Sequence, residues 1–202
     1  VCCGSADDAI AAQAGGADRI ELNSNLFHGG LTPSVGTLDI VKSRLTIPVM
    51  AMVRPRQGGF CYTDVEFEVM KADLRALIAH GADGIVTGVL RADGTIDEDR
   101  SARLRDIAGD KPCVFHRAID VTPDWKRALE TLIRLGFTRV LTSGQESDVF
   151  FGMETVRDMR LFAGDAIEIL PGAGVTAKNA RRVAEITGCG QLHVAAFRAC
   201  RD

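Results

Sequence analysis

Charged side chains stand inside or directly after several apolar, strand-like runs of this sequence. Glu21 lies within one such run, and Arg54 directly follows another. His116, Arg117 and Asp120 come together after a third run. A histidine can donate or accept a proton near neutral pH, an arginine can stabilise negative charge, and an aspartate can orient either. We therefore predict that these five residues are catalytic candidates for acid–base chemistry on an anionic substrate. A structural ion pair is the alternative for Glu21, because a lone buried carboxylate is costly.

A second group of residues suits the binding of an anion. In Arg54-Pro-Arg56 a proline fixes the backbone between two cations, which could clamp a carboxylate or a phosphate. Gly172-Ala-Gly174 precedes a predicted helix start, where free backbone amides can hold an anion. Ser143 follows a further strand-like run. Arg56, Ser143, Gly172 and Gly174 are thus predicted anion-binding residues. Surface salt bridging of Arg56 and a simple tight turn at the glycines are the alternatives.

Two residues could ligate a metal ion. Cys2 and Cys3 lie in the first predicted strand, and because adjacent strand residues point to opposite faces, only one can join an interior ligand set. His193 lies in the last predicted strand. A thiolate with an imidazole favours Cu(I) or zinc. Either Cys2 or Cys3, together with His193, could therefore form a metal site, although no spacing in the sequence demands a metal. His193 could instead be a core histidine with its hydrogen bonds satisfied.

Eight short apolar runs alternate with helical patterns along the whole chain, and they determine where these residues lie. The predicted strands are Val1–Cys3, Arg19–Leu22, Pro48–Val53, Gly84–Thr87, Cys113–His116, Arg139–Thr142, Ile167–Leu170 and Leu192–Ala195. Their apolar and β-branched content fits a parallel sheet that is covered on both faces. We predict a single α/β domain over residues 1–202, a (β/α)8 TIM barrel.

The helices between these strands have recognisable starts and ends. Ser5 and Thr63 are predicted N-caps, and so are Thr122 and Thr176. Glycines past the helix ends precede several strands, which indicates a repeated βα unit. The chain stops just past the eighth strand, so the eighth helix is expected to be missing from it. An open doubly wound sheet is the alternative, but its usual G-x-G-x-x-G turn is absent. In a TIM barrel the strand ends form one rim, so the candidate residues should converge there.

Composition excludes several classes of partner. The 202 residues are 46 % hydrophobic and 25 % charged, with a formal net charge of −3. This balance gives no basic field for nucleic acid, and no apolar run approaches the ~20 residues that span a bilayer. We therefore expect no nucleic-acid partner and no membrane insertion. The six cysteines lack the spacing of a disulfide scaffold, which favours reduced thiols in the cytoplasm.

Several ordered blocks of the sequence closely resemble the CutC family of copper homeostasis proteins. The blocks are Val1-Cys-Cys3, Gly16-Ala-Asp-Arg-Ile-Glu-Leu22, Gly29-Gly-Leu-Thr-Pro-Ser34, Ile47-Pro48, Arg54-Pro-Arg56, Phe60-Cys-Tyr62, Phe115-His-Arg-Ala118, Arg139-Val-Leu-Thr-Ser-Gly-Gln145 and Gly172-Ala-Gly174. They run in order over nearly the whole chain, which makes the resemblance far more specific than any single motif.

The resemblance implies a cytoplasmic (β/α)8 barrel, often a homodimer, that is linked to copper tolerance and binds Cu(I). The early cysteine of the family corresponds to Cys2, whereas Asn23 stands where some animal members carry a second cysteine. Two hypotheses follow. The first is a copper homeostasis protein that binds Cu(I) through Cys2, with help from a nearby thiol or histidine. The second is an enzyme that acts on a small anionic or phosphorylated metabolite at the barrel rim.

Overall fold

A parallel sheet forms the centre of the molecule, and its strands follow one another in chain order. A computed structural model describes residues 1–195. The strands are β1 (Cys2–Cys3), β2 (Ile20–Leu22), β3 (Val49–Met52), β4 (Gly84–Thr87), β5 (Cys113–Phe115), β6 (Arg139–Thr142) and β7 (Glu168–Pro171). Each pairs in parallel with the next, from β1 to β7. The predicted TIM-barrel class is confirmed.

The structure differs from the prediction at the eighth strand, because Leu192–Ala195 form no regular strand. This segment nevertheless bridges the two edges of the sheet. The amide of His193 donates to the carbonyl of Pro171 at 2.8 Å, and the amide of Cys2 donates to the carbonyl of Val194 at 2.7 Å. These two bonds join β7 to β1, so the sheet curls round on itself. The position expected for an eighth helix lies outside the described residues.

Helices connect the strands on the outside of the sheet. They are α1 (Ala6–Ala14), α2 (Val35–Arg44), α3 (Asp64–Ala79), α4 (Glu98–Ala108), α5 (Trp125–Arg134), α6 (Val149–Ala163) and α7 (Ala180–Thr187). Short 3-10 helices lie at Leu26–His28 and Arg117–Val121. None of the helices in the described part of the chain combines the length and apolar character needed to cross a membrane.

Two of the four predicted helix caps are confirmed and two are wrong. The hydroxyls of Ser5 and Thr63 accept hydrogen bonds from backbone amides at the starts of α1 and α3. Thr63 also forms a full capping box. Asp124, not Thr122, caps α5, because its carboxylate accepts two first-turn amides. The helix predicted to begin after Thr176 begins at Ala180 instead.

Side chains alternate across the sheet between two apolar layers. Met50, Met52, Val86, Val114, Leu141 and Leu170 form a small inner cluster that fills the barrel. Their neighbours Val49, Ala51 and Ile85 belong to the larger core on the other side of the sheet. Because strand residues alternate, the inward-facing positions continue past Met52 to Arg54 and past Val114 to His116, toward the carboxyl ends of the strands. The sheet therefore carries these polar residues to one rim.

Candidate functional site

A cavity of about 260 Å³ opens at the rim where the strands end, and we call it the mouth. Its lining residues are Cys2, Glu21, Asn23, Leu26, Gly29, Met52, Arg54, Phe60, His116, Arg117, Leu141, Ala173, His193 and Ala195. The mouth thus brings together four of the five predicted catalytic residues with both predicted metal ligands. Asp120, Arg56, Ser143, Gly172 and Gly174 do not line it.

One side of the mouth holds a thiol, a carboxylate and an imidazole, which we call the Cys2 cluster. One ligand atom from each of Cys2, Glu21 and His193 lies within 4.8 Å of the other two. The Nε2 of His193 is 3.3 Å from Oε2 of Glu21, and Sγ of Cys2 is 3.8 Å from Oε1. Cys3 points the other way, into the core. The alternation of strand residues thus selects Cys2 as the interior thiol.

The charges in the Cys2 cluster depend strongly on burial. Burial raises the pKa of the Cys2 thiol well above its usual range, and the neighbouring Glu21 adds to this shift. Burial also opposes ionisation of Glu21, but His193 and the Asn23 amide outweigh it and lower the pKa of Glu21 to about 2. At neutral pH the cluster therefore contains a carboxylate beside a protonated thiol.

Asn23 belongs to this side of the mouth and was not predicted from the sequence. Its Nδ2 donates to Oε1 of Glu21 at 3.1 Å and lies 3.3 Å from Sγ of Cys2. The amide therefore fixes the carboxylate and supplies a donor to the sulfur. The available signal was positional, because Asn23 stands two residues after Glu21 and so lies on the same side of the chain.

Arg54 is buried and anchors two loops at the rim. Its Nη1 donates to the carbonyls of His28, Gly29 and Gly30 at 3.0–3.2 Å, and its Nη2 donates to Gly58 at 2.8 Å. Its Nε has no hydrogen-bond partner within residues 1–195. The guanidinium thus holds the backbone in place while it keeps a fixed positive charge at the mouth.

His116 is a buried imidazole with one ring nitrogen committed to the backbone. Its Nδ1 accepts the amide of Ala118 at 3.2 Å, and Nε2 has no partner among the described residues. Phe60 packs on it, with ring centroids 4.8 Å apart, and lies 5.2 Å from the Arg54 guanidinium. Burial, followed by the charge of Arg54, lowers the pKa of His116 to about 3. His116 is therefore neutral, with its hydrogen on Nε2.

This buried neutral histidine predicts an acid-sensitive stability. Between pH 6.5 and 3 the unfolded chain binds a proton at His116 that the native state does not, so the free energy of unfolding falls as the pH falls. Glu21 acts in the same direction between pH 4.5 and 2. We expect His116→Phe to flatten the curve between pH 6.5 and 4.5, where one proton contributes up to about 1.4 kcal/mol per pH unit.

Urea unfolding at a series of pH values would measure this effect. His28→Gln is the matched control, because the His28 side chain is exposed at the end of a short 3-10 helix. The control should keep the wild-type slope. A wild-type slope in His116→Phe would contradict the assignment.

Asp120 connects the loop after β5 to the loop after β6. Its carboxylate accepts from Nε of Arg117, the hydroxyl of Thr142 and the amides of Ser143 and Gln145, at 2.5–3.2 Å. Arg117 also donates to the hydroxyl of Ser143 at 2.8 Å. With its oxygens occupied in this way, Asp120 positions Arg117 at the rim and has no contact with the mouth itself.

The other predicted anion ligands are engaged outside the mouth. Arg56 forms an ion pair with Glu66 at 2.6 Å and donates to three nearby carbonyls. The amide of Gly172 donates to the carbonyl of Thr142. A Cβ on Gly174, which has a φ of +80°, would overlap the carboxylate of Asp148. The glycine loop therefore packs against an acidic side chain, which disfavours an anion there.

This close packing predicts a large effect of Gly174→Ala. The substitution adds backbone strain at positive φ and a clash with Asp148, which is held as the N-cap of α6. We expect the free energy of unfolding to fall by about 2–3 kcal/mol. Gly16→Ala is the control, because Gly16 has a φ of +85° with open space around it. Equal losses in the two variants would show that the clash contributes nothing.

Comparisons with known proteins agree on one family. The model of the CutC family matches residues 1–198. A family protein CutC of Treponema denticola is 52 % identical over 198 residues, which cover 98 % of this chain and 80 % of the relative. A human protein named copper homeostasis protein cutC homolog is 46 % identical over 202 residues, which cover 100 % of this chain and 74 % of the relative.

Solved structures place the same fold in a wider group. A crystal structure named as copper homeostasis protein CutC, from Streptococcus agalactiae, has a TM-score of 0.91 at 33 % identity and covers 95 % of each chain. An aldolase named QR15 has a TM-score of 0.69 at 12 % identity, over 93 % of this chain and 81 % of the other. The second similarity concerns the fold alone.

Proposed function

This chain belongs to the CutC family of copper homeostasis proteins, and from that premise we propose that it binds Cu(I) at the Cys2 cluster. The observation that carries the proposal is the convergence of the Cys2, Glu21 and His193 ligand atoms within 4.8 Å of one another. Thiolate and imidazole are ligands that suit Cu(I). Met52, whose thioether is another soft ligand, lines the same mouth.

Cu(I) would replace protons when it enters the cluster. The buried thiol of Cys2 is protonated at neutral pH, and only the thiolate is a strong metal ligand. The positive ion compensates for the charge that burial disfavours, so the metal and the proton compete for the same sulfur. Binding should therefore release protons and strengthen as the pH rises.

Glu21 makes zinc the competing metal. Carboxylate oxygens are common zinc ligands and poor partners for Cu(I). In our proposal Cys2 and His193 hold Cu(I), and Glu21 remains hydrogen-bonded to Asn23. Glu21→Gln should then leave Cu(I) affinity within a few-fold of wild type. A large loss of affinity would place the carboxylate among the ligands.

Anaerobic titration of the full chain with Cu(I) against a competing chelator tests the proposal. We expect the protein to withdraw one equivalent of Cu(I) from the chelator. Proton release should be larger at pH values at which the thiol of the metal-free protein is protonated. A parallel titration with Zn(II) should show weaker binding. No competition by the protein, or a clear preference for Zn(II), would refute Cu(I) as the ligand.

We place this function in the cytoplasm. The cysteines Cys2, Cys3, Cys61, Cys113 and Cys189 are free thiols. Cytosolic conditions keep thiols reduced, which a Cu(I)-binding thiol requires. Fractionation of the cells that produce the protein would test this placement. Both the protein and its bound copper should be found in the cytosolic fraction.

A further inference from the structure

We propose that the mouth also binds a small carboxylate, which accepts the Nε2–H of His116 beside the fixed positive charge of Arg54. This ligand site lies next to the Cys2 cluster but uses different residues. It therefore does not depend on the Cu(I) proposal.

The imidazole of His116 is arranged as a hydrogen-bond donor. Its Nδ1 accepts the amide of Ala118, so in the neutral ring the hydrogen is on Nε2. That nitrogen is buried without a hydrogen-bond partner among residues 1–195, in a side chain that is 4 % exposed. A buried donor left unpaired is costly, and a ligand oxygen in the mouth would satisfy it.

Arg54 supplies a positive charge that cannot move away. It is 6 % exposed, and four backbone carbonyls fix its two Nη atoms. Phe60 packs between this guanidinium and His116 and orders both groups. A charge that is already fixed needs no rearrangement when an anion arrives, which makes the site pre-organised.

The charge and shape of the mouth favour a carboxylate over a phosphate. Three carbonyls occupy Nη1 of Arg54 and a fourth occupies one hydrogen of Nη2, so few of its donors remain for the several oxygens of a phosphate. A single N–H group, such as the Nε2–H of His116, can donate a hydrogen bond to one oxygen of a carboxylate. Leu26, Met52 and Leu141 supply apolar wall to the cavity of about 260 Å³, which suits a short hydrocarbon body. The carboxylate of Glu21 accepts a hydrogen bond from Nδ2 of Asn23 and lies 3.3 Å from Nε2 of His193, so it is already engaged by neighbours on its own side of the mouth.

Three probes can test the site in the full chain: sodium isovalerate, isovaleramide, which has the same size but no charge, and inorganic phosphate. Ligand-observed NMR titrations would measure their dissociation constants. We expect saturable binding of isovalerate and at least about 10-fold weaker binding of the amide and of phosphate. Absence of saturable isovalerate binding, or equal affinity for the amide, would overturn the proposal.

Variants separate this site from the metal site. His116→Phe keeps an aromatic ring but removes the donor, and should weaken isovalerate binding by about 10-fold or more. His116→Gln restores an N–H donor and should lie within a few-fold of wild type. Leu26→Trp narrows the half-buried rim without removing a polar group, and should also weaken binding.

Copper titration of the same proteins completes the test. His116→Phe should bind Cu(I) as wild type does, and Cys2→Ser should bind isovalerate as wild type does. Unchanged isovalerate binding in both His116→Phe and Leu26→Trp would refute the site. If the wild-type protein binds isovalerate but not Cu(I), only the copper proposal is refuted.

Discussion

Cys2→Ser is expected to weaken Cu(I) binding by more than about 100-fold, because changes to outer-shell partners alone cost 10–100-fold at metal sites. The substitution removes the one thiol that lines the mouth among residues 1–195 and leaves Glu21 and His193 in place. A serine hydroxyl is a hard, weak ligand that cannot replace a thiolate for Cu(I). Chelator competition under anaerobic, reducing conditions measures the change directly.

Cys61→Ser is the matched control for this experiment. Cys61 is exposed and does not line the mouth, so its replacement tests nonspecific thiol binding. The control should retain wild-type affinity, and both variants should keep wild-type urea unfolding curves. If Cys2→Ser binds Cu(I) as tightly as wild type, the Cys2 cluster is not the copper site. If Cys61→Ser is the weaker variant, the exposed thiol is the ligand.

Strand alternation and chain order were sufficient to predict the composition of the mouth in large part. Glu21, Arg54 and His116 are far apart in sequence. Yet each lies in a strand or just after one, at a position that faces the inside of the barrel. In a parallel barrel such positions meet at one rim. The same alternation places Cys2 and Cys3 on opposite faces of the sheet. These relations depend only on the periodicity of two residues in a strand, which sequence displays directly.

Loop contacts could not be predicted in the same way. Arg54 faces the mouth as expected, but its Nη atoms bind loop carbonyls whose directions depend on backbone conformations at several glycines. Asp120 is likewise occupied by two backbone amides of a neighbouring loop. In the sequence Phe60 stands out only within a block that resembles the CutC family, although it packs against both His116 and Arg54. No pattern along the chain encodes such tertiary pairings.

Local competition between polar groups explains the wrong helix caps. Both Thr122 and Asp124 precede α5, and the sequence rule favoured the threonine that stands before a proline. In the structure Thr122 instead donates to the carbonyl of Ile119 and ends a 3-10 helix. Asp124 is then the residue next to the helix start. The eighth strand also depends on tertiary contacts, since within residues 1–195 two backbone bonds hold its segment between Pro171 and Cys2.

Arg54→Met is expected to lower the free energy of unfolding by about 3 kcal/mol, the largest stability effect that we predict for the rim. The methionine can fill part of the buried volume but cannot donate to the carbonyls of His28, Gly29, Gly30 and Gly58. Water can reach the exposed loop carbonyls, which limits the loss. Urea unfolding, monitored by far-UV circular dichroism, provides the measurement.

Two further variants distinguish hydrogen bonding from charge. Arg54→Lys keeps the positive charge, but a single ammonium group cannot reach both loops, so it should recover less than half of the lost stability. Arg56→Met removes a cation that is 36 % exposed in its side chain and paired with Glu66, and should cost no more than about 1 kcal/mol. Equal losses in Arg54→Met and Arg56→Met would mean that the loop carbonyls gain nothing from the buried guanidinium. Full recovery by lysine would mean that charge alone holds the rim together.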